Sequence, residues 1–213
     1  MTKKRSMTVL VVVLAAAVVL TGGLMASNMG FKLNRALVAA GTAGSVSGTQ
    51  TLSLPYNRQV GIDTASDLFV DIGSAFNLQR YETSTDLFQF YSFGSPDFAL
   101  AAGEGLFVQV GTDTNYIIVG SHDPAAVIQL EGPGAASLSG ATLFAPPYHA
   151  TAATARDLFV ELGITNVFNI QRWDTTTDLY QFYSFGSTDF PITPGEAYFV
   201  SMGTTLAYSP SHY

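Results

Sequence analysis

Short stretches of alternating apolar and polar residues run along the chain from about residue 50 onward. A period of two places successive side chains on opposite faces, which is typical of half-buried β-strands. The stretch "NLQRYE" (77–82), the turn-forming "TSTD" (83–86) and "LFQFYSF" (87–93) together predict a β-hairpin. Further strands are predicted at "TLSLPY" (51–56), "AGEGLFVQV" (102–110), "NYIIVG" (115–120), "TLFAPPY" (142–148), "FNIQRWD" (168–174) and "PGEAYFVSM" (194–202).

Two short segments break the strand pattern and predict helices. Thr64 is a good N-cap with Asp67 three residues later, and Leu68, Phe69 and Ile72 follow at helical spacing. Gly73 then provides the left-handed position that ends a helix. The same signals recur at Thr154, Asp157, Leu158, Phe159, Leu162 and Gly163. The chain is therefore predicted to be mostly β, a β-sandwich or barrel-like fold with one short helix per repeat.

An internal duplication organises the chain. Residues 79–108 align without gaps on residues 171–200, with 19 of 30 positions identical, and "TDLFQFYSFGS" becomes "TDLYQFYSFGS". Upstream and downstream blocks also correspond, with small length changes between blocks, as in surface loops. The sequence predicts two tandem repeats, residues 27–120 (repeat 1) and residues 121–213 (repeat 2).

The first residues are typical of an export signal. Lys3, Lys4 and Arg5 precede an uncharged, apolar run over residues 7–26. Residues 1–26 are predicted to be a signal peptide cut after Ala26, with a retained N-terminal membrane anchor as the alternative. The chain has no cysteine, which excludes a lipid-acylated cysteine, disulfides and thiolate chemistry.

The charge balance excludes one class of partner. Residues 27–213 carry six Lys and Arg against sixteen Asp and Glu, a net charge of −10. A surface this acidic disfavours nucleic acid, because binding it requires Lys and Arg to neutralise phosphates. Contact with a membrane is expected only through an uncleaved N-terminal segment.

Aromatic residues recur at matched positions in the two repeats and admit two interpretations. They fill the core of a small domain without disulfides, or they form a stacking face for sugars. Tyr81 and Trp173 are the residues expected to line a carbohydrate-binding face, and the turn acids Asp86 and Asp178 are the other candidate ligand contacts. The strand 87–93 itself is predicted to belong mainly to the core.

Catalytic and metal-binding motifs are not evident in the sequence. The acid pairs Glu82/Asp86 and Glu104/Asp97 fall in turns and recur in both repeats, which does not favour glycoside hydrolysis. His122, His149 and His212 lack the spacing of a zinc site. No cofactor, no metal and no catalytic residue is predicted.

The N-terminal strand suggests a route to assembly. "SNMGFKLNRAL" (27–37) opens repeat 1, "SHDPAAVIQL" (121–130) opens repeat 2, and the chain stops where a third opening strand would begin. An unpaired edge at the end of repeat 2 would accept a strand from another molecule. Phe31, Leu33 and Leu37 are the residues predicted to complete a neighbouring copy in a head-to-tail polymer.

The pattern "LSLPYN", "DLFVDIG", "RYETSTDLFQFY" and "FPITPGEAYFV" resembles a tandem β-rich repeat module of bacterial secreted and surface proteins. The resemblance covers nearly all of residues 27–213 and rests on turn and core signatures. It implies location and architecture more than activity: tandem β-rich domains of the kind that accompany adhesion or extracellular-matrix modules. The sequence as a whole is interpreted as an exported, non-enzymatic structural or interaction protein of the cell surface or extracellular matrix. Its partners would be further copies of itself or other surface proteins, with glycans as the alternative.

Overall fold

The structure is a computed structural model that describes residues 31–42, 44–54, 61–121, 123, 125–134 and 136–211. The predicted signal segment, the side chain of Phe31, and His122 and His212 lie outside the described residues. Neither helix in the described part of the chain is long and apolar enough to cross a membrane. Lys32–Tyr213 forms one compact unit, so the two repeats fold together.

Twelve strands and two helices make up the described chain, six strands and one helix in each repeat. Repeat 1 contains β1 (Phe31–Leu37), β2 (Thr49–Ser53), α1 (Ala65–Ile72), β3 (Ala75–Glu82), β4 (Leu87–Tyr91), β5 (Gly105–Val110) and β6 (Thr114–Gly120). Repeat 2 contains β7 (Ile128–Leu130), β8 (Ala141–Phe144), α2 (Ala155–Glu161), β9 (Val167–Asp174), β10 (Leu179–Tyr183), β11 (Tyr198–Met202) and β12 (Leu206–Tyr208).

Each repeat builds a four-stranded antiparallel sheet with the same strand order. The order is β2-β5-β3-β4 in repeat 1 and β8-β11-β9-β10 in repeat 2. A two-stranded sheet accompanies each one, β1 with β6 and β7 with β12. The fold is therefore mostly β and built of two similar repeats, as predicted.

The helix signals in the sequence are confirmed. Thr64 accepts a hydrogen bond from the Asp67 backbone N–H, and the Asp67 side chain accepts one from the Thr64 N–H. Thr154 and Asp157 form the same reciprocal pair in repeat 2. Gly73 ends α1 with φ +74°, a left-handed conformation that L side chains rarely adopt. Each helix is thus fixed at its first turn by the two residues that the sequence identified.

The two sheets pack against each other through a layer of six aromatic rings, three from each repeat. These are Tyr81, Phe88 and Phe107 from repeat 1 and Trp173, Tyr180 and Phe199 from repeat 2. On its opposite face the repeat 2 sheet buries Ile170 and Val200 against Leu158 of α2. The architecture is therefore sandwich-like, because each sheet has one face toward the other repeat and one toward its own helix.

Backbone hydrogen bonds between the repeats occur in matched pairs. The Ser53 N–H donates to the Gly195 carbonyl at 3.0 Å, and the equivalent Ala145 N–H donates to the Gly103 carbonyl at 2.9 Å. A second pair joins Val46 to Thr175 and Leu138 to Thr83, at 3.1 and 3.2 Å. Each repeat therefore uses the same surface to bind the other, as in a two-fold symmetric dimer.

The duplicated strand, predicted to belong mainly to the core, is buried only in part: Tyr183 of β10 lies in the repeat 2 core, whereas β4 departs from the prediction. No residue of β4 is fully buried, and Phe90 and Phe93 are 54% and 94% exposed. Phe88 packs toward the other repeat and Tyr91 packs edge-on against Phe69 of α1 at 5.5 Å. The strand lies at the edge of its sheet, and an edge position leaves several of its side chains in solvent.

Candidate functional site

A glutamate stands at an equivalent place in each repeat, directly after a glycine that turns the chain into a central strand. Glu104 follows Gly103 (φ +80°), and Glu196 follows Gly195 (φ +87°). A left-handed backbone favours glycine at both turns, which explains the repeated "GE" in the sequence. The turns bring each glutamate beside the arginine of the neighbouring strand, Arg80 in repeat 1 and Arg172 in repeat 2.

In repeat 2 the glutamate is enclosed by three partners. Arg35 of β1 places Nη2 3.2 Å from Glu196 Oε1, and Arg172 places Nε 3.1 Å from Oε2. The Tyr198 hydroxyl donates to Oε2 at 2.9 Å. The side chain of Glu196 is only 9% exposed, so a largely buried carboxylate is neutralised by two guanidinium groups.

In repeat 1 the equivalent glutamate has weaker partners. The closest ion-pair distance, from Arg80 Nε to Glu104 Oε1, is 3.6 Å. Glu104 Oε2 accepts a hydrogen bond from the Ala101 N–H at 2.9 Å. Leu106 stands where repeat 2 has Tyr198, so the hydroxyl that donates to Glu196 has no counterpart at this position. Glu104 is thus a partly buried carboxylate that faces a single arginine.

An open cleft of about 480 Å³ adjoins Glu104. Both repeats line the cleft: β3 and the 99–104 turn on one side, and β7 and β8 on the other. Its charged side chains are Arg80, Glu82 and Glu104, which gives the cleft an excess of one negative charge.

Arg80 is held in place by contacts on several sides. Its Nη2 donates to Gln89 Oε1 at 2.6 Å and its Nη1 donates to the Ala99 carbonyl at 3.1 Å. The guanidinium carbon lies 4.7 Å from the centre of the Phe98 ring, a cation–π contact. Both terminal nitrogens of Arg80 are therefore engaged elsewhere, and only its Nε faces Glu104, at 3.6 Å.

The electrostatics of Glu104 reflect this arrangement. Burial, reinforced by the nearby charge of Glu82, raises the pKa of the Glu104 carboxyl above its usual range. The Ala101 N–H and Arg80 act in the opposite direction and do not cancel the effect. A carboxylate in this state gains from a further positive group, so the chemistry suited to the cleft is the binding of a cation.

The aromatic pair predicted to face a sugar lies in the layer between the repeats. The Trp173 ring packs edge-on against Phe107 and Tyr180, at 5.7 and 4.9 Å, and its Nε1–H donates to the Thr49 carbonyl of the other repeat at 2.8 Å. Tyr81 packs edge-on against Phe199 at 4.9 Å. Both rings are half-buried. Their contacts hold the repeats together, and their role toward a sugar stays a prediction.

The two turn acids take up the same backbone conformation but different partners. Asp86 and Asp178 have φ of +54° and +55°, a left-handed conformation that aspartate tolerates better than most residues. Asp86 Oδ1 accepts hydrogen bonds from the Tyr81 hydroxyl at 2.8 Å and the Ser139 hydroxyl at 3.0 Å. Trp173 replaces that tyrosine in repeat 2, and the buried Oδ1 of Asp178 has no partner among the described residues.

The segment predicted to exchange between molecules is bound within its own chain. β1 pairs with β6, Leu37 is 1% exposed, and Leu33 packs on the Gly195 turn of repeat 2. At the end of repeat 2, β12 pairs on one side with β7 of the same repeat. Assembly through Phe31, Leu33 and Leu37 stays a prediction, and it would require β1 to leave this position.

The other acids and the one described histidine form no shared site. Asp97 accepts a 2.6 Å hydrogen bond from the Ser66 hydroxyl at the start of α1, so it stabilises the first turn of that helix. His149 packs against the Tyr148 ring at 5.0 Å. Within the described residues no three His, Asp or Glu side chains are grouped closely enough to hold a metal ion.

Sequence reasoning missed the role of Arg35 and the difference between Glu104 and Glu196. The available signal was that the opening strand of an acidic protein carries two cations, Lys32 and Arg35. The partner of Arg35 lies 161 residues away, so no local pattern could pair the two.

Exposed apolar side chains also repeat at equivalent positions. Four pairs are between 48% and 94% exposed: Phe76/Phe168, Leu87/Leu179, Phe90/Phe182 and Phe93/Phe185. Most of them lie on the edge strands β4 and β10 or in the turns that follow, and each of these strands pairs with one neighbour only.

Comparison with known proteins identifies no relative: no protein-family model, no curated protein and no solved structure matches the chain. The residues and their geometry are therefore the basis for the function proposed below.

Proposed function

We propose that this protein is an exported, non-enzymatic interaction protein of the cell surface or extracellular matrix. It associates with partners through two equivalent sheet edges, one in each repeat. The observation that carries the proposal is the repetition of free, apolar edge strands, β4 and β10, on one body. Exposed apolar patches on a protein surface mark sites of interaction with other molecules. An exposed strand edge accepts another strand through its unpaired backbone groups.

The structure of the repeats supports this role in a second way. The sheets are joined by a shared aromatic layer, so the two edge strands belong to one compact unit. A protein with two equivalent edges has two equivalent binding surfaces. Two such surfaces allow a chain to link partners, and they increase the avidity for a repeated or polymeric surface.

The location is proposed from the sequence. The basic head and the apolar run of residues 7–26 support export, and the net charge of −10 after residue 26 does not favour a nucleic-acid partner. The partners proposed are another copy of this chain or another surface protein that presents an extended strand.

The proposal is tested by placing charge on the edges. The full chain is expressed in a bacterial host, and its association with the cell surface is measured by fractionation and by protease accessibility on intact cells. Self-association is measured by sedimentation velocity. The double variant Phe90→Lys and Phe182→Lys is expected to be released from the surface or to become monomeric, because lysine on an edge strand opposes strand addition.

The control variant carries the same charges elsewhere. Val70 and Val160 are another equivalent, exposed apolar pair, 76% and 59% exposed, but they lie on the helices. Val70→Lys with Val160→Lys is expected to behave as the wild type does. A wild-type chain that is neither surface-associated nor assembled contradicts the proposal, and so does an edge variant that is indistinguishable from the wild type.

A further inference from the structure

The two glutamate sites differ because the opening strands of the repeats differ. Arg35 precedes the buried Leu37 of β1 by two residues, and Ile128 precedes the buried Leu130 of β7 by two residues. Both positions pack on the turn before the glutamate: Arg35 lies against Gly195 and Ile128 against Gly103. Beside Glu104, Ile128 of repeat 2 therefore stands where Arg35 of repeat 1 supplies a guanidinium group to Glu196.

As a consequence, the Glu104 carboxylate lacks the second guanidinium group that Glu196 receives. Glu196 receives Arg35 Nη2 at 3.2 Å, whereas Glu104 has only Arg80 Nε at 3.6 Å. The cleft of about 480 Å³ opens beside Glu104 and provides space for such a group. Thr142 lines the same cleft, and its buried Oγ1 has no hydrogen-bond partner among the described residues.

We propose that this cleft binds the guanidinium group of an arginine carried by an extended segment of another protein, in the position that Arg35 takes beside Glu196. Glu104 and Glu82 provide carboxylate acceptors at the wall of the cleft. Guanidinium suits the site better than a lysine ammonium, because its planar fork can serve several acceptors at once.

This inference goes beyond the proposed association through sheet edges. None of the exposed edge residues Leu87, Phe90 and Phe93 lines the cleft. The site adds a preference for a basic partner, which agrees with the acidic surface of the chain, since net charge steers oppositely charged partners toward it.

The test uses a peptide with the sequence of β1, which presents its arginine to Glu196 from an extended strand. The probe is the capped heptapeptide FKLNRAL, the sequence of β1, which carries an arginine in the setting that fits Glu196. Its binding to the purified full chain is measured by isothermal titration calorimetry at low salt. The matched control peptide carries citrulline, a neutral isostere of arginine, and is expected to bind at least about tenfold more weakly.

Variants of the protein locate the bound peptide. Glu104→Gln is expected to lower the affinity at least about tenfold, because it removes the charged acceptor and keeps its shape. Glu131→Gln removes a carboxylate that does not line the cleft and is expected to bind as the wild type does. Ile128→Arg is expected to abolish binding by placing an arginine of the chain itself beside Glu104. Circular dichroism confirms that each variant is folded.

Three results would overturn the inference. The first is no binding of the arginine peptide, the second is equal binding of the citrulline peptide, and the third is unchanged affinity in folded Glu104→Gln. The third result would show that the peptide binds elsewhere, for example by replacing β1. Self-association of the wild type that is lost in Glu104→Gln would support the inference and identify the arginine-bearing segment as a second copy of this chain.

Discussion

Glu104 and Glu196 occupy equivalent turns of two homologous repeats, yet only one of them is enclosed. Glu196 is held between Arg35 and Arg172 and is 9% exposed, whereas Glu104 faces Arg80 at the wall of an open cleft and is 17% exposed. The turns, the strands and the neighbouring arginines are the same. The sites differ in the strand that packs on each turn, a seven-residue β1 with an arginine at Glu196 and a three-residue β7 without one at Glu104. They also differ in the Tyr198 hydroxyl, which Leu106 replaces in repeat 1.

This difference shows how a duplication can produce two roles from one motif. Where the opening strand supplies its own cation, the glutamate becomes a structural ion pair that fastens β1 to repeat 2. Where the opening strand supplies no cation, the equivalent glutamate has one side open to the cleft. A pair of equivalent residues therefore provides its own control for a substitution in either repeat.

The largest effect is expected at the enclosed glutamate. Glu196→Gln should lower the free energy of unfolding by about 3 kcal/mol, because two largely buried arginines would lose their carboxylate. Glu104→Gln, the matched control, should change it by less than about 1 kcal/mol, since one arginine with other partners is affected. Urea denaturation measures both variants, and equal losses would show that the two sites do not differ as described.

A second comparison concerns the contact between the repeats. A Cβ added to Gly105 would lie 2.5 Å from the Cβ of Ala197, its equivalent in repeat 2. Gly105→Ala should therefore force the sheets apart and cost about 2 kcal/mol of stability. Gly134→Ala is the control, because nothing lies within 4 Å of a Cβ added there. Thermal unfolding measures both, and a stable Gly105→Ala variant would contradict the close approach of the sheets.

The third comparison uses Trp173 and Tyr81, which occupy equivalent positions but donate hydrogen bonds to different partners. Trp173 donates across the interface to Thr49, whereas the Tyr81 hydroxyl donates to Asp86 in its own turn. Trp173→Phe should cost about 2 kcal/mol, and Tyr81→Phe about 1 kcal/mol, because only the first removes a bond between repeats. Denaturant unfolding followed by circular dichroism measures both. A larger loss of stability in Tyr81→Phe than in Trp173→Phe would contradict the prediction.

The smallest effect is the pH dependence at Glu104. Because its pKa is raised in the folded protein, the charged form is disfavoured there and the penalty is relieved as the carboxyl binds a proton. The stability of the wild type relative to Glu104→Gln should therefore rise as the pH falls from 7 to 4, by less than about 1 kcal/mol. Urea unfolding at several pH values measures it. A fall in relative stability over this range would contradict the raised pKa.

Local signals in the sequence predicted much of the fold. The reciprocal Thr64 and Asp67 cap, the Gly73 end of α1 and the alternating strands all depend on residues close in sequence, and the structure confirms them. The aromatic layer could not be predicted in the same way. Alternation separates the two faces of a strand, but it does not say which face meets the helix and which meets the other repeat.

The candidate site was harder to predict for the same reason. The sequence identified Glu104 only as a turn acid, because its environment is created by β7 and β8 of the other repeat. Arg35 and Glu196 come together only when β1 packs on the turn that precedes β11. Contacts between residues so distant in sequence depend on how the two repeats pack, and no local sequence pattern predicts that packing.

The account depends most directly on the two repeats forming one body, because the cleft and the enclosed Glu196 both need residues from both repeats. Differential scanning calorimetry of the chain tests this claim. Since the aromatic layer and the paired backbone bonds join the sheets, we predict a single unfolding transition whose calorimetric and van't Hoff enthalpies agree. Two separate transitions, with one repeat surviving after the other has unfolded, would contradict it.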